Sequence, residues 1–252
     1  QASSQAGYPA PVLSLAALRR ALADTGGAAT RIVETSGLVE QVRRAKDPEE
    51  LALIERACVV ADEAWTHLLN AGAIAEGRTE REVAADLEHA MRRAGSDGVA
   101  FETIVASGPN GAHPHHVPGD RVLADGDLVV VDFGATVSGY ASDCTRTVAL
   151  GTAPDRLLDA YDVVLRAQLA GVEAVREGMG CADLDAVSRG IIDDAGFGDH
   201  FGHSLGHGVG LDVHEAPRAA QTVDEAEVLR EGMTLTVEPG IYLPGETGLR
   251  IE

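Results

Sequence analysis

An internal echo narrows what this chain can fold into more than any other feature. Glu76-Gly77 precedes a helical pattern that ends at Ala94-Gly95, and Glu177-Gly178 precedes one that ends at Ala195-Gly196, with the same spacing in both. Farther along, Asp125-Gly126-Asp127-Leu128-Val129-Val130-Val131-Asp132-Phe133-Gly134 aligns without gaps on Glu231-Gly232-Met233-Thr234-Leu235-Thr236-Val237-Glu238-Pro239-Gly240. Each half therefore carries helices, an acidic-Gly turn, and a β run closing on a carboxylate and a glycine. A second carboxylate follows in each, Asp143 and Glu252. Two such matches in the same order mark a repeated structural unit. They predict an α+β fold of two related halves facing each other across a pseudo-two-fold axis.

Local signals place the elements. Asp47-Pro48-Glu49-Glu50 supplies an N-cap, a proline at the first helical position and a glutamate at the third. The helix it opens is expected over residues 47–70, with Leu51, Ile54, Cys58, Ala61, Trp65 and Leu68 at three-to-four spacing. A second capping box, Thr79 to Glu82, opens a helix that stops at Gly95. Strands are expected over 103–107, 128–134 and 140–150, with a Gly-, Pro- and His-rich loop at 108–120 and a turn at Ser138-Gly139. Helical patterns resume over 154–177 and 182–195, and residues from Phe201 onward read as strand-like again. Residues 1–40 are rich in Ala, Gly and Ser, with one short helical stretch at 14–24 ended by Gly26-Gly27. They read as a linker or the remnant of an N-terminal domain, which leaves 41–252 as the main domain. The sequence stops at Glu252 inside an expected strand, so its C-terminal end reads as truncated.

Composition excludes several classes. A formal charge of −20 repels phosphate backbones and argues against nucleic-acid binding. With 45% hydrophobic residues and no apolar run of membrane-spanning length, a globular protein without membrane association is expected. Three widely spaced cysteines form no C-x-x-C pair, which argues against a disulfide framework and a thiolate metal site and makes the cytoplasm the default location.

Some of the acidic residues need another explanation. Asp132 follows Leu-Val-Val-Val, where an ionised side chain is costly to bury. Taken alone it is equally a strand-end carboxylate reaching solvent, but Glu238 occupies the matching place in the other half. Asp143 lies across the hairpin from Asp132, and by the echo Glu252 stands to Glu238 as Asp143 does to Asp132. Four converging carboxylates repel one another unless cations neutralise them, and two divalent ions supply the four charges. A further ligand is expected from the run 202–215, where His203, His207 and His214 sit among glycines. The run is not the helical H-E-x-x-H zinc signature. An oxygen-rich ligand set suits Mn²⁺, Co²⁺ or Zn²⁺.

These residues resemble the proline-specific metallopeptidases of the pita-bread (creatinase/aminopeptidase-like) fold: prolidase, or Xaa-Pro dipeptidase, and aminopeptidase P, with methionine aminopeptidase a more distant relative. The motifs are Val-Asp132-Phe-Gly, Ser-Asp143-Cys-Thr-Arg, His203-Ser-Leu-Gly-His207-Gly-Val-Gly, Asp-Val-His214-Glu, Thr-Val-Glu238-Pro-Gly and Arg250-Ile-Glu252. The resemblance implies a dimetal site between the halves, with Asp132 on one ion, Asp143 and Glu252 bridging both, and His207 and Glu238 completing the other. Manganese is the first choice of metal. The substrate it implies is a small peptide with proline at the second position, and family members are commonly homodimers.

It also places a substrate-side histidine at His115, with His113 and His116 reading as loop surface and His67 and His89 as solvated helix residues. His203 favours the proline-specific members over the methionine enzymes. Arg218 resembles a clamp for a dipeptide's carboxylate, or is a solvated surface arginine, and Arg250 is counted with the substrate-binding residues. The implied chemistry is hydrolysis by a hydroxide shared between the metals, with Glu238 as proton acceptor and His115 and His214 stabilising the oxyanion and helping to protonate the proline nitrogen. Two other readings stay on the same fold: an aminopeptidase of methionine-type specificity, and a non-catalytic peptide-binding domain. Gly202-His-Ser-Leu-Gly206 also fits a G-x-S-x-G nucleophile elbow, but only Asp212 and His214 follow it, too close together for that fold.

Overall fold

A computed structural model describes residues 15–24 and 36–252 of the chain. Most of the segment expected to be a linker or N-terminal remnant, including the Gly26-Gly27 stop, lies outside the described residues. The chain divides into two compact units, 1–38 and 39–252. In the first, the expected short helix runs as α1, Leu15–Asp24.

The second unit begins inside α2 (Leu38–Arg43), a one-and-a-half-turn helix without buried residues and without a periodic signal in the sequence. Helix α3 (Pro48–Asn70) starts at the predicted capping box, with Asp47 accepting from the Glu50 amide and Glu50 reaching back to the cap. Helix α4 (Glu80–Ala94) repeats the device at Thr79 and Glu82 and ends on Gly95 in the left-handed conformation at φ 108°. Strands β1 (Gly98–Val99) and β2 (Ile104–Ser107) follow, then a 3₁₀ turn at Gly108–Ala112. Next come β3 (Leu128–Phe133), β4 (Ala135–Val137), β5 (Tyr140–Ala141) and β6 (Cys144–Ala149). The second half supplies α5 (Asp155–Ala174), α6 (Cys181–Asp194), β7 (Gly206–Gly208), β8 (Glu215–Ala219), β9 (Gly240–Leu243) and β10 (Thr247–Arg250).

Two apolar cores correspond to the two halves. One packs α3 and α4 against one face of β3, through Leu68, Leu87, Val129, Val131 and Phe133, with Trp65 stacked on Phe133 at 5.5 Å. The other packs α5 and α6 against Leu205, Val237, Ile241 and Leu249, and takes Leu128 from the opposite face of β3. Side chains alternate along a strand, so Asp132 shares the face of Leu128 and Val130 and points away from the first core. That orientation takes Asp132 out of the first apolar core and points it to the space between the halves.

Pairing then brings the second carboxylates in. β3 lies between β2 and β6, with Asp132 opposite Thr145 and Phe133 opposite Cys144. Asp143 therefore precedes the paired part of β6, and the single returning strand expected over 140–150 is broken: Tyr140 and Ala141 pair with β4 instead. The two halves meet where β10 runs beside β6. Thr147 Oγ1 donates to the Arg250 carbonyl, and the Glu252 amide donates to the Thr145 carbonyl. This delivers Glu252 to the end of β6 that carries Asp143.

The run 234–239 was expected to form a strand matching β3. It lies extended along 205–209, with Thr236 and Glu238 amides donating to the His207 and Leu205 carbonyls. The ladder is incomplete because the His207 amide donates to the Thr236 hydroxyl rather than to its carbonyl. Gly206 is required there, since a β-carbon would lie 1.9 Å from the Thr236 carbonyl oxygen.

Candidate metal centre and substrate cleft

The four carboxylates and His207 meet in one cluster. Asp132, Asp143 and Glu252 each present an oxygen, and these atoms all lie within 4.8 Å of one another. His207 Nε2 is 3.1 Å from Glu238 Oε1 and 3.6 Å from Asp143 Oδ2. Its Nδ1 lies 3.0 Å from the Gly208 carbonyl, an acceptor, so Nδ1 carries the proton and Nε2 faces the carboxylates. The Thr236 hydroxyl donates to Glu238 Oε1 at 2.9 Å and fixes that carboxylate in turn.

Two buried acceptors in the cluster, Asp132 Oδ1 and Glu252 Oε1, have no hydrogen-bond partner. Buried carboxylate oxygens without donors are costly unless a cation serves them, so the residues present fit a divalent-metal site. Electrostatics agree. Burial, then the neighbouring carboxylates, push Asp143 and Glu252 well above the usual carboxylate range, and burial raises Asp132 against the opposing pull of Arg250. Burial alone would lower His207, but the Glu238 carboxylate outweighs it and raises the imidazole.

These shifts fix a pH dependence. A carboxyl whose pKa is higher folded than unfolded binds its proton more tightly in the fold. Its contribution is therefore full below the unfolded value and is lost as pH rises through the folded one. His207 has the same sign. Glu238 is also pushed up by burial, but His207 outweighs that and lowers it, and its favourable contribution is complete above the ordinary glutamate range. Measured against the Mn²⁺-loaded protein, chelator-treated protein is thus expected to lose melting temperature as pH rises above the ordinary carboxylate range, while His203 and His214, whose pKa values are lowered, act with the opposite sign. The same slope with and without Mn²⁺ would contradict the cluster.

A cleft of about 620 Å³ opens beside the cluster, lined in part by Pro114, His115, His203, His214, Arg218 and Glu238. His115 and His214 are exposed to it, and the His214 ring stands edge-on to His207 at 4.2 Å. Burial and then the adjacent His207 lower the His214 pKa. His203 Nδ1 donates to the Ser204 carbonyl, so Nε2 accepts from the Tyr242 hydroxyl, each at 2.8 Å. His203 is thereby held neutral, and burial lowers its pKa. Arg218 is exposed on β8 and its side chain reaches the cleft.

Arg250, counted with the substrate-binding residues, is among the residues that line the cleft, with 4% of its surface exposed. It donates to Asp132 Oδ2 at 2.7 Å, to the Tyr242 hydroxyl at 2.8 Å and to Thr145 Oγ1 at 2.9 Å, which orients Asp132. One expectation is corrected. His116, read as loop surface, is largely buried, with Nε2 2.8 Å from Glu80 Oε2. His113, His67 and His89 are exposed, as expected. Sequence reasoning missed Tyr242. It lies in β9, whose residues are all buried, and carries no local mark of its contacts with His203 and Arg250, which lie 39 and 8 residues away.

Comparison with known proteins adds four findings. The sequence profile of metallopeptidase family M24 matches residues 52–252. The Xaa-Pro dipeptidase of Pyrococcus furiosus is 47% identical over 215 residues, which cover 85% of this chain and 61% of that protein. The solved structure of the prolidase from Pyrococcus furiosus superposes with a TM-score of 0.83 at 46% identity, covering 87% of this chain and 64% of that one. The X-Pro aminopeptidase from Thermotoga maritima superposes at 0.87 with 40% identity, covering 94% and 66%. The chain thus spans about three fifths of the length of the curated relatives it matches. Among the described residues, no helix is long and apolar enough to cross a membrane.

Proposed function

The chain belongs to metallopeptidase family M24 and has its pita-bread fold, and from that premise we propose that it hydrolyses the peptide bond preceding proline, in dipeptides or at the N-terminus of short peptides, with two divalent metal ions. The observation that carries this reading is the cluster of Asp132, Asp143 and Glu252, with its orphaned oxygens, at the floor of a histidine-lined cleft. Relatives named Xaa-Pro dipeptidase support the substrate class. Residues 41–252 act as the catalytic domain, with 1–40 a linker or the remnant of an N-terminal domain.

Asp132 would hold one ion, Asp143 and Glu252 both, and His207 and Glu238 the other, with Mn²⁺ preferred over Co²⁺ or Zn²⁺ for this oxygen-rich set. When bound, such ions act as Lewis acids that polarise a carbonyl and make water more acidic. The protein's own groups do the rest. Glu238 is ionised and takes the proton of the attacking water. His214, whose pKa is lowered, and His115 donate hydrogen bonds to the oxygen that gains charge and help to pass the proton taken by Glu238 to the departing proline nitrogen, which has no N–H of its own in the peptide. His203, locked by Tyr242, walls the proline pocket. Arg218 holds a dipeptide's free carboxylate at the rim.

Chelator-treated protein given Mn²⁺, Co²⁺ or Zn²⁺ should be assayed on Xaa-Pro dipeptides, longer Xaa-Pro-led peptides and Met-led peptides. Metal-restored turnover of Xaa-Pro substrates, fastest on dipeptides, is the expected result. Turnover confined to Met-led peptides, or none with any ion, would overturn the reading.

A further inference from the structure

The loop that carries His115 is closed on a single buried carboxylate outside the cleft. Glu80, the first residue of α4, is fully buried, and the hydrogen-bond partners of its carboxylate come from residues 107–119. Oε1 accepts from the Ser107 amide at 2.8 Å, the Ser107 hydroxyl at 2.7 Å and Asn110 Nδ2 at 3.0 Å. Oε2 faces His116 Nε2 at 2.8 Å and accepts from the Gly119 amide at 3.3 Å. The entry, middle and exit of the loop thus converge on two oxygen atoms. Burial would raise the Glu80 pKa, but the donors from Ser107, Asn110 and His116 outweigh it and keep the carboxyl below its ordinary value. The group is therefore ionised, where charge-assisted hydrogen bonds are strongest.

The opposite side of the loop is fixed as well. Gly111 packs against Gly248 of β10 so closely that a β-carbon on Gly248 would lie 1.9 Å from the Gly111 carbonyl oxygen. Arg250, also on β10, reaches the Pro114 carbonyl at 3.5 Å. The segment is clamped between a carboxylate on α4 and the strand that leads to Glu252, and its tip, Pro114 to Val117, forms one wall of the cleft.

We propose that Glu80 is a positioning residue for the hydrolytic reaction: it sets the loop 107–119 so that His115 faces the scissile bond. This rests on the function proposed above. Glutamine at position 80 keeps the shape but places an NH₂ group among donors, so part of the anchor turns repulsive. A displacement of about 1 Å at a catalytic group costs about 10²-fold in rate.

The test is a double-mutant cycle on the metal-loaded protein with Glu80→Gln and His115→Ala, run with amide hydrogen exchange over the loop. Glu80→Gln is expected to lower kcat by about ten- to a hundredfold, with KM changed less than about threefold, ion content unchanged, and faster exchange at the Ser107 and Gly119 amides. In the His115→Ala background the same substitution should cost less than about twofold, because its effect runs through the missing imidazole. Full additivity, wild-type turnover in Glu80→Gln, or loop amides exchanging at the wild-type rate would each overturn the proposal. If Glu80→Gln does not fold, Asn110→Ala removes one donor and is read in the same cycle, with a loss of about three- to tenfold that vanishes beside His115→Ala. A wild-type chain inactive on every peptide counts against the proposed activity, and loop exchange in Glu80→Gln then decides the anchor by itself.

Discussion

Alanine at Asp143 or Glu252 is expected to lower kcat/KM on Xaa-Pro dipeptides by at least about 10³-fold, with added Mn²⁺ failing to restore it. Each residue supplies an oxygen to the three-carboxylate cluster, and each is assigned to both ions. Losing either removes transition-state stabilisation worth several kcal/mol, about a thousandfold or more in rate. Alanine also relieves the crowding that pushes the remaining carboxyls upward, so the metal-free variant should be no less stable than metal-free wild type near pH 8. Turnover and thermal melting measured on the same preparations separate a lost site from a lost fold. Wild-type turnover in either variant would remove the shared-metal account.

The second large effect is on stability. Asp185 and Arg189 form a buried pair one turn apart on α6, with Arg189 Nε 2.6 Å from Asp185 Oδ2 and Nη2 3.0 Å from Oδ1. Asp185 Oδ1 also accepts from the Leu205 amide at 2.9 Å. Arg189 donates to the Phe201 and His203 carbonyls at 2.8 Å each and lies over the Phe201 ring at 4.1 Å. The pair thus ties α6 to the segment that leads into His203 and His207. Asp185→Ala would leave a buried guanidinium without its counter-charge and an amide without its acceptor, at a cost of about 3–5 kcal/mol. For a domain of this size that corresponds to a melting temperature roughly 10 °C lower. Asp185→Ala with Arg189→Met should recover part of the loss, because it leaves no unpaired charge. A loss below about 1 kcal/mol in the single variant would show that the pair does not hold this segment.

Local chemistry explains why so much of the architecture could be read from residue order. Capping boxes at Asp47 and Thr79, the glycine stop at Gly95 and the apolar run of β3 are decided within a few residues, and all appear where expected. The convergence of Asp132, Asp143, Glu238 and Glu252 followed from the echo between halves, since matching positions in related units face the same interface, whereas His207 is singled out only by the family resemblance. What escaped depends on contacts between distant segments. The ladder at 234–239 is interrupted by one threonine hydroxyl, and β5 breaks from β6 because Tyr140 and Ala141 find another partner. His116 looked like a surface residue because its partner, Glu80, lies 36 positions earlier. The bond from Arg250 to Asp132 was likewise out of reach of the sequence, since the two lie 118 positions apart.

The most direct measurement is an anomalous difference map from crystals of the protein soaked in Mn²⁺. Two peaks are expected, both within coordinating distance of oxygens from Asp143 and Glu252, one of them also beside Asp132 and the other beside His207 and Glu238. A map without a peak among these five side chains, from crystals of protein that is active with Mn²⁺, would contradict the account.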